Sequence, residues 1–352
     1  MIKKFFKLIA VAIVISSLVF GWYWNEYNVF LQTPILLSSD STTTGHSAGS
    51  NIAQQTFTIE KGSTVRQIAR LLQQQKIIEH PEYFRLYTRL SKQAAIIKAG
   101  EYTLKPGMTV FDMVKLFVSG KVNQYALTIV EGWTFKQALR HIENDANLVK
   151  TLAGTKNSDH NAVASALGTQ YSSLEGLIYP DTYNFPKGTT DVQFLKRSYD
   201  NMQKVLDQEW QQREKNLPLK TPYEALILAS IVEKESGVSS ERNKIAGVFI
   251  RRMNKKMRLQ SDPTIIYGMG ERYKGNIRRR DITEKTAYNT YQIDGLPPTP
   301  IALAGREAIH SVLHPEQGKS LYFVADGSGG HVFTNSLKEH NRAVRKYILK
   351  KK

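Results

Sequence analysis

The sequence predicts an α+β protein that a single N-terminal helix attaches to a membrane. Residues 8–24, LIAVAIVISSLVFGWYW, form an uncharged apolar run at the short end of the range for a membrane-spanning helix. Further along, a short β-type run, a Gly-x-Thr turn and a helical apolar period recur from residues 57, 102 and 127. The length of 352 residues and the 41% hydrophobic content allow one large or two ordinary domains.

The residues that flank the apolar run predict its orientation. Lys3, Lys4 and Lys7 precede it, and an aromatic cluster at residues 22–24 ends it. Because lysines near a span stay in the cytoplasm, residues 1–7 are predicted to be cytoplasmic and the rest extracytoplasmic. A cleaved signal peptide is the alternative, although the bulky FGWYWN is a poor cleavage site. We therefore expect a single-pass protein of the inner (cell) membrane.

Charge and cysteine content narrow the classes of partner. The net charge is +17, and residues 251–280 hold ten Lys or Arg against two acids. Such a charge suits nucleic acid, anionic lipid or another polyanion, and an extracytoplasmic location argues against nucleic acid. Acidic cell-wall peptides or the membrane surface are the expected partners, and a solvated basic face is the alternative. The absence of cysteine excludes disulfides and zinc-thiolate sites.

The repeated unit reads as a strand, a glycine turn and a capped amphipathic helix. A hydroxyl residue followed three positions later by a polar residue resembles a capping box. The three pairs are Thr64 and Gln67, Thr109 and Asp112, and Thr134 and Gln137. The small polar residues 39–50 precede the first unit, so residues 25–56 are predicted to be a flexible tether.

The first repeated unit, FTIEKGSTVRQIARLLQQQKI, resembles the LysM module, a small βααβ glycan-binding fold. The resemblance implies a LysM-like subdomain over residues 57–120 that contacts N-acetylglucosamine-containing glycan. Tyr83, Phe84 and Tyr87 lie nearby and suit stacking on sugars. A packing unit without any ligand is the alternative reading.

Two carboxylates end an apolar helix in the segment LASIVEKESGVSSER, residues 228–242. Pro222 opens this helix, residues 225–232 are apolar nearly all round, and Gly237 is the expected stop. Glu233 and Glu235 are about 200° apart around the axis, so they point to opposite sides. The helix C-terminus and desolvation both raise the pKa of such a carboxyl group, as a general acid needs. The alternative is an ion pair with Lys234, Arg242, Arg251 or Arg252.

Several further motifs resemble the endolytic murein transglycosylase family, also called YceG-like or MltG. They are LEGLIYPDTY, SIVEKE, RLQSDPT, AYNTY and GLPP, in this order, and the resemblance runs from residue 57 to residue 347. It implies a mixed α/β YceG-like catalytic domain over residues 121–347. The family cleaves the β-1,4 bond between N-acetylmuramic acid and N-acetylglucosamine within glycan strands and leaves a 1,6-anhydro ring.

The resemblance also implies roles for individual residues. Glu235 corresponds to the single catalytic glutamate, which acts first as an acid and then as a base. The expected substrate-binding residues are Ser236, Gln260, Ser261, Asp262, Thr264, Tyr288, Asn289 and Tyr291, and the expected supporting residues are Glu233, Glu175 and Asp181. His331 and His340 are expected to be structural. No pair of histidines is expected to have the helix-face spacing of metal ligands, and no cofactor or metal is expected.

Nascent peptidoglycan strands are the expected substrate, and peptidoglycan polymerases are expected neighbours. Two alternatives stay open. One is a non-enzymatic peptidoglycan-binding scaffold, and the other is a hydrolytic muramidase in which Asp262 helps to activate water.

Overall fold

A computed structural model describes residues 2–37, 54–152, 160–171 and 173–349. It has the mixed α/β composition that the sequence predicts. The chain divides into two compact units. The first comprises Met1–Tyr125 with Phe185–Gly188, and the second comprises Ala126–Asn184 with Thr189–Lys352.

Helices dominate both units, and the described strands form three two-stranded sheets that pair β1 with β2, β3 with β4, and β5 with β6. The helices are α1 (Ile2–Gln32), α2 (Val65–Gln74), α3 (Pro81–Leu90), α4 (Val110–Ser119), α5 (Phe135–Asn144), α6 (His160–Leu167), α7 (Asp191–Gln211), α8 (Pro222–Glu235), α9 (Arg242–Asn254), α10 (Asp262–Met269), α11 (Arg279–Thr283), α12 (Arg306–Leu313) and α13 (Leu337–Tyr347). The strands are β1 (Gln55–Ile59), β2 (Gly100–Leu104), β3 (Gln124–Thr128), β4 (Thr182–Pro186), β5 (Tyr322–Ala325) and β6 (His331–Thr334).

Helix α1 is long and apolar enough to cross a membrane, and it extends beyond the predicted span of residues 8–24. Its C-terminal end packs on the rest of the first unit, where Tyr27 is 5% exposed. The next residues are also held, because Ile35 N donates to Met108 O over 2.7 Å and Leu36 N donates to Ile77 O over 3.1 Å. Residues 25–37 are therefore ordered, unlike the flexible tether predicted there. The polar residues 39–50 of that tether lie outside the described residues.

The first unit places two helices between antiparallel strands, in the order β1, α2, α3, β2. Phe57 of β1, Tyr102 of β2 and Phe117 of α4 are fully buried, and the ring of Phe117 contacts the rings of the other two. This small core explains why one repeated unit does not stand alone, since strands from two consecutive units pair with each other.

Two of the aromatic side chains that were expected to stack on sugars are buried in the first unit. Phe84 is 0% exposed in the core. Tyr83 is 6% exposed because the rings of Tyr23 and Phe30 from α1 lie 5.3 and 5.5 Å from its own. The expectation of sugar stacking is therefore wrong for this pair, since helix α1 and the core cover their faces. Tyr87 remains partly exposed.

All three predicted capping boxes are confirmed. The side chains of Thr64, Thr109 and Thr134 each accept a hydrogen bond from the backbone N–H three residues later. In return, the backbone N–H of each threonine donates to the side chain of that later residue. Each cap follows a glycine turn, and at Gly62 and Gly107 the φ angles of 85° and 80° favour glycine. The local pattern thus fixes where α2, α4 and α5 begin.

Helix α8 lies at the centre of the second unit. It begins at Pro222 after the cap Thr221, and its residues 225–232 are all buried, as the apolar run predicts. Helices α7, α9 and α12 pack against it. A buried hydrogen bond of 2.9 Å from Ile301 N to Ser230 Oγ joins the segment before α12 to the middle of α8. This packing fixes the C-terminal end of α8, where the two glutamates lie.

Candidate active site

Glu235 is the last residue of α8, and its side chain is held by a serine from the next helical segment. Ser261 Oγ donates a hydrogen bond of 2.6 Å to Glu235 Oε1. Ser261 is the N-cap residue of α10 and is 1% exposed. Glu235 itself is partly buried. The carboxylate is therefore fixed in position while part of its residue stays accessible.

The surroundings of Glu235 bring its carboxyl group close to half protonation at neutral pH. Burial raises its pKa to about 7. The Ser261 hydrogen bond and the charges of His331 and Arg252 act in the opposite direction, and the charge of Asp262 raises the pKa further. A carboxyl group with such a pKa can give a proton and take one back without leaving its site.

Ser261 is positioned by two buried threonines. Its backbone N–H donates to Thr290 Oγ1 over 2.9 Å, and its carbonyl accepts from Thr264 Oγ1 over 2.6 Å. Thr264 and Thr290 are both 0% exposed. Thr264 was expected to contact substrate, and the structure instead places it behind Ser261. The preceding residue, Gln260, is exposed and has a φ of 52°, so the chain turns sharply into the site.

Asp262 and Tyr291 are the accessible polar pair beside the glutamate. Tyr291 Oη donates to Asp262 Oδ1 over 2.8 Å. Asp262 is exposed and Tyr291 is partly buried. Burial raises the pKa of the Tyr291 hydroxyl above its usual value, so this hydroxyl stays protonated and can donate. Among the expected substrate-binding residues, Asp262 and Gln260 are exposed and Tyr291 is partly buried, so these side chains have the accessibility to contact a sugar.

The loop after α11 is held together by Asn289, which was expected to contact acetamido groups. Asn289 is 1% exposed, and its amide donates to the carbonyls of Asp281, Ile282 and Glu284. Its buried amide is used within the loop, so the structure gives it a structural role. Tyr288 is partly buried, and its hydroxyl lies 2.9 Å from Thr299 Oγ1.

Ser236, also expected to bind substrate, ends helix α8. Its N–H donates to Val232 O over 3.0 Å, and its hydroxyl donates to Val238 O over 2.8 Å. The residue is 9% exposed. These contacts turn the chain away from the helix and so define where Glu235 stands.

Glu233 and Glu235 have different hydrogen-bond partners. Glu233 Oε1 accepts from Arg242 over 3.0 Å, and its Oε2 accepts from Gly305 N over 3.0 Å. Burial raises the pKa of Glu233, although Gly305 and Arg242 act against this shift. Glu233 thus connects α8 to the start of α9 and α12, whereas Glu235 is connected to α10.

The two remaining candidates, Glu175 and Asp181, differ in burial. Glu175 is 6% exposed and accepts hydrogen bonds from Phe135 N at 2.8 Å and Tyr267 Oη at 3.1 Å. Burial raises its pKa to about 7. Asp181 is exposed and accepts from the N–H of Thr182 over 2.7 Å at the start of β4.

Two groups near Glu235 were not assigned to the site from the sequence. Arg252 is 6% exposed, donates to the carbonyls of Leu259 and Leu321 over 2.7 Å each, and carries a charge that acts on Glu235. His331 acts on Glu235 in the same way, and its Nδ1 lies 2.8 Å from Glu241 Oε2. The sequence named Arg252 only as one of four possible ion-pair partners of the two carboxylates and His331 only as a structural residue, because the position of a charge relative to Glu235 depends on tertiary packing.

The site has the features of a general acid–base centre, because the carboxyl group of Glu235 has a pKa of about 7 and lies beside the accessible pair of Asp262 and Tyr291. Residues 57–346 match the YceG-like family, and the chain belongs to it. The endolytic murein transglycosylase of Bacillus subtilis (strain 168) is 31% identical over 309 aligned positions, and the alignment covers 83% of this chain and 84% of that protein.

Two further comparisons agree with this family. The endolytic murein transglycosylase of Streptococcus pneumoniae serotype 2 (strain D39) is 29% identical over 379 aligned positions, covering 97% of this chain and 66% of that longer protein. A 2.6 Å crystal structure of a putative yceG-like protein from Listeria monocytogenes superposes with a TM-score of 0.51 at 29% identity. The superposition covers 82% of this chain and 98% of the Listeria chain.

Proposed function

We propose that the protein is a membrane-anchored endolytic lytic transglycosylase. It cleaves the β-1,4 bond between N-acetylmuramic acid and N-acetylglucosamine within peptidoglycan strands and leaves 1,6-anhydro ends. The relatives that share its family are named endolytic murein transglycosylases. The observation that carries the proposal is Glu235, whose carboxyl group has a pKa of about 7 and is fixed by Ser261.

One carboxyl group is sufficient for this reaction. Protonated Glu235 gives its proton to the glycosidic oxygen as the bond to C1 of the muramic acid breaks. The resulting carboxylate then takes the proton from the C6 hydroxyl, whose oxygen forms the new bond to C1. The glutamate ends in its starting state, and no water is consumed. A pKa of about 7 suits both steps, because at neutral pH the protonated and ionised forms of Glu235 have nearly equal free energies.

Asp262 is the residue on which the muramidase alternative depends. A hydrolytic reaction would use a second carboxylate to activate water. Asp262 is exposed, and one of its oxygens already accepts a hydrogen bond from Tyr291. In the proposed reaction, Asp262 and Tyr291 bind the sugar, and the Asp262 charge helps to keep Glu235 protonated.

Helix α1 supports a location at the inner membrane, with residues 1–7 in the cytoplasm and both compact units outside it. Because the C-terminal end of α1 packs on the first unit, that unit is held next to the membrane surface. Strands leaving membrane-bound polymerases are therefore the proposed substrate, and those polymerases are the proposed neighbours.

The order β1, α2, α3, β2 supports a LysM-like character for the first unit. Glycan binding there would rely on aromatic side chains that remain accessible. Phe111 is 51% exposed, and its ring lies 6.2 Å from that of Tyr87. This pair replaces Tyr83 and Phe84 as the proposed sugar-stacking surface.

Digestion of purified sacculi tests the proposal. The full chain in detergent micelles should release fragments that end in anhydromuramic acid, and Glu235→Gln should release none while keeping its melting temperature. Mass spectrometry of the fragments decides among the three functions. Fragments with reducing muramic acid ends would establish the muramidase. If folded wild-type protein releases no fragments, the non-enzymatic scaffold is the remaining function.

A further inference from the structure

Three potential metal ligands meet outside the candidate active site, in the second unit. Glu209 lies on α7, His310 lies on α12, and His314 is the residue at which α12 ends. One ligand atom from each residue lies within 4.8 Å of the other two. Carboxylate and imidazole groups are the ligands that zinc and similar ions take in proteins.

The two histidines follow each other on one helix face. They are four residues apart in HSVLH, and residues at this spacing lie above one another on a helix. The expectation that no histidine pair has this spacing is therefore wrong. Their rings stack with centroids 4.3 Å apart, so the two imidazoles lie side by side.

The hydrogen bonds around these residues leave part of the cluster unsatisfied. Glu209 has 9% of its side chain exposed, and its Oε2 lies 2.8 Å from His310 Nδ1. The Nε2 of His314 is buried and has no hydrogen-bond partner among the residues that the structure describes. A buried polar atom without a hydrogen-bond partner destabilises the folded state. A metal ion bound to this nitrogen would remove that cost.

A groove opens beside the cluster and exposes two of its three residues, Glu209 and His310, whereas His314 is not among the residues that line it. It has a volume of about 660 Å³, and Glu209, His310, Asn243 and Ser239 are among the residues that line it. The groove gives an ion an entry path and room for a water molecule as a fourth ligand. His310 has half of its side chain exposed on this side.

We propose that Glu209, His310 and His314 bind one divalent transition-metal ion, with Zn²⁺ as the preferred ion. Three protein ligands and one water give the tetrahedral coordination of such sites. Ligand atoms around a tetrahedral zinc are about 3.3 Å apart, given metal–ligand bonds of about 2.0–2.1 Å. The three ligand atoms lie within 4.8 Å of one another, so binding would draw them closer together, and the ion would replace the hydrogen bond between His310 and Glu209.

Arg306 defines which carboxylate oxygen is available. Its Nε donates to Glu209 Oε1 over 2.8 Å, and another of its nitrogens donates to Gln208 Oε1 over 2.7 Å. The arginine therefore orients the carboxylate and leaves Oε2 directed at the histidines, as outer-shell partners do in metal sites. Its positive charge lowers the affinity for a dication, so we expect an exchangeable ion.

The consequence of binding is a connection between α7 and α12. An ion that binds the folded state and not the unfolded state stabilises the fold by mass action. Helix α12 follows Gly305, whose N–H donates to Glu233 two residues before Glu235. The ion would thus reinforce the packing that fixes the end of α8.

The test uses the full chain in detergent micelles, purified without a polyhistidine tag and stripped of metal. Isothermal titration with ZnCl₂ measures affinity and stoichiometry, and visible absorption after CoCl₂ addition reports the coordination geometry. The variants are His310→Gln and His314→Gln. His80→Gln is the matched control, because His80 is an exposed histidine that also pairs with a glutamate, Glu82, in the first unit.

We expect one Zn²⁺ per chain, an intense tetrahedral cobalt spectrum and a zinc-dependent rise in melting temperature. Each histidine variant should raise the Kd for Zn²⁺ by roughly 10- to 100-fold or more. Loss of a group that only hydrogen-bonds to a ligand already has an effect of this size, and these histidines are ligands themselves. The His80→Gln control should bind as wild type does. Absence of binding to wild type, or binding by either histidine variant that equals that of wild type, would overturn the proposal. Neither result depends on glycan cleavage, so the proposed function is tested separately.

Discussion

Ser261 Oγ and Glu235 Oε1 are joined by a hydrogen bond of 2.6 Å that connects residues 26 positions apart in the chain. Burial raises the pKa of Glu235, and this hydrogen bond stabilises the ionised form and so lowers it. The value of about 7 is the balance of these opposing effects with those of nearby charges. The serine is therefore a positioning residue that also tunes the proton affinity of the glutamate.

Replacing Ser261 with alanine should move the pH dependence of cleavage. Without the hydrogen bond, the pKa of Glu235 rises by roughly one to two units, because a bond to a charged acceptor contributes about 1.5–3 kcal/mol and one unit corresponds to about 1.4 kcal/mol. The first step needs the protonated acid, so kcat/KM falls as pH rises through the pKa. The alkaline limb of Ser261→Ala should accordingly lie at higher pH than that of wild type.

The measurement is a pH profile of kcat/KM on soluble uncrosslinked glycan strands. Ser240→Ala is the control, since Ser240 is an exposed serine outside this hydrogen bond. An unchanged alkaline limb in Ser261→Ala would show that the serine does not tune Glu235.

Glu233→Gln should reduce stability and retain cleavage. The glutamine can still accept from Gly305 N, but it loses the ion pair with Arg242, of which 13% of the side chain is exposed. Arg242 keeps Glu131 and Glu307 as partners, so we expect a cost of about 1–2 kcal/mol in the free energy of unfolding. Thermal denaturation and sacculus digestion measure the two effects.

Glu307→Gln serves as the control for this variant. Glu307 pairs with the same arginine, but 70% of its side chain is exposed, and exposed pairs contribute little. Complete loss of cleavage in Glu233→Gln at an unchanged melting temperature would transfer the catalytic role from Glu235 to Glu233.

Local patterns predicted the helices and their caps better than they predicted the candidate site. The capping boxes at Thr64, Thr109 and Thr134 and the buried helix from Pro222 depend on residues within one or two turns, so the sequence was sufficient. The roles of Thr264 and Asn289 depend on tertiary contacts.

Residue type alone could not show that Thr264 lies behind Ser261 or that the amide of Asn289 is used by three carbonyls. The tether prediction failed at residues 25–37 for a similar reason. Tyr27 and Ile35 are buried by tertiary contacts with the rest of the first unit, and these contacts cannot be inferred from the residues next to them in the sequence.

Asp262→Asn should separate the transglycosylase from the muramidase. The Asp262 charge raises the pKa of Glu235, so its removal lowers that pKa and moves the alkaline limb to lower pH. If Asp262 only binds sugar and influences Glu235, the products still end in anhydromuramic acid. Mass spectrometry of the products and the pH profile check both statements. Reducing ends in wild type that disappear in Asp262→Asn would instead identify Asp262 as the activator of water.

The first unit should lose stability in acid through Glu101. Burial alone would raise the pKa of this carboxyl group, but hydrogen bonds from Lys187, Tyr125 and Asn123 outweigh burial and lower it. A depressed folded-state pKa stabilises the fold above the unfolded value of about 4.3, and this contribution is lost as pH falls through the folded value. Melting temperatures between pH 7 and pH 3 should fall less steeply in Glu101→Gln than in wild type. Equal slopes would mean that other carboxylates dominate.

Helix α1 should remain in the mature protein and keep the full chain in the membrane. The helix continues to Gln32, and its final turns place Tyr27 against the first unit. A protein anchored by an apolar span stays with inner membranes after a high-salt wash, because salt screens charges and leaves apolar burial intact. Fractionation followed by N-terminal sequencing measures both location and processing. A soluble mature form that begins near residue 25 would establish signal-peptide cleavage. It would leave Tyr27 in the first unit and contradict a substrate confined to the membrane surface, since the active site would then be free to act throughout the wall.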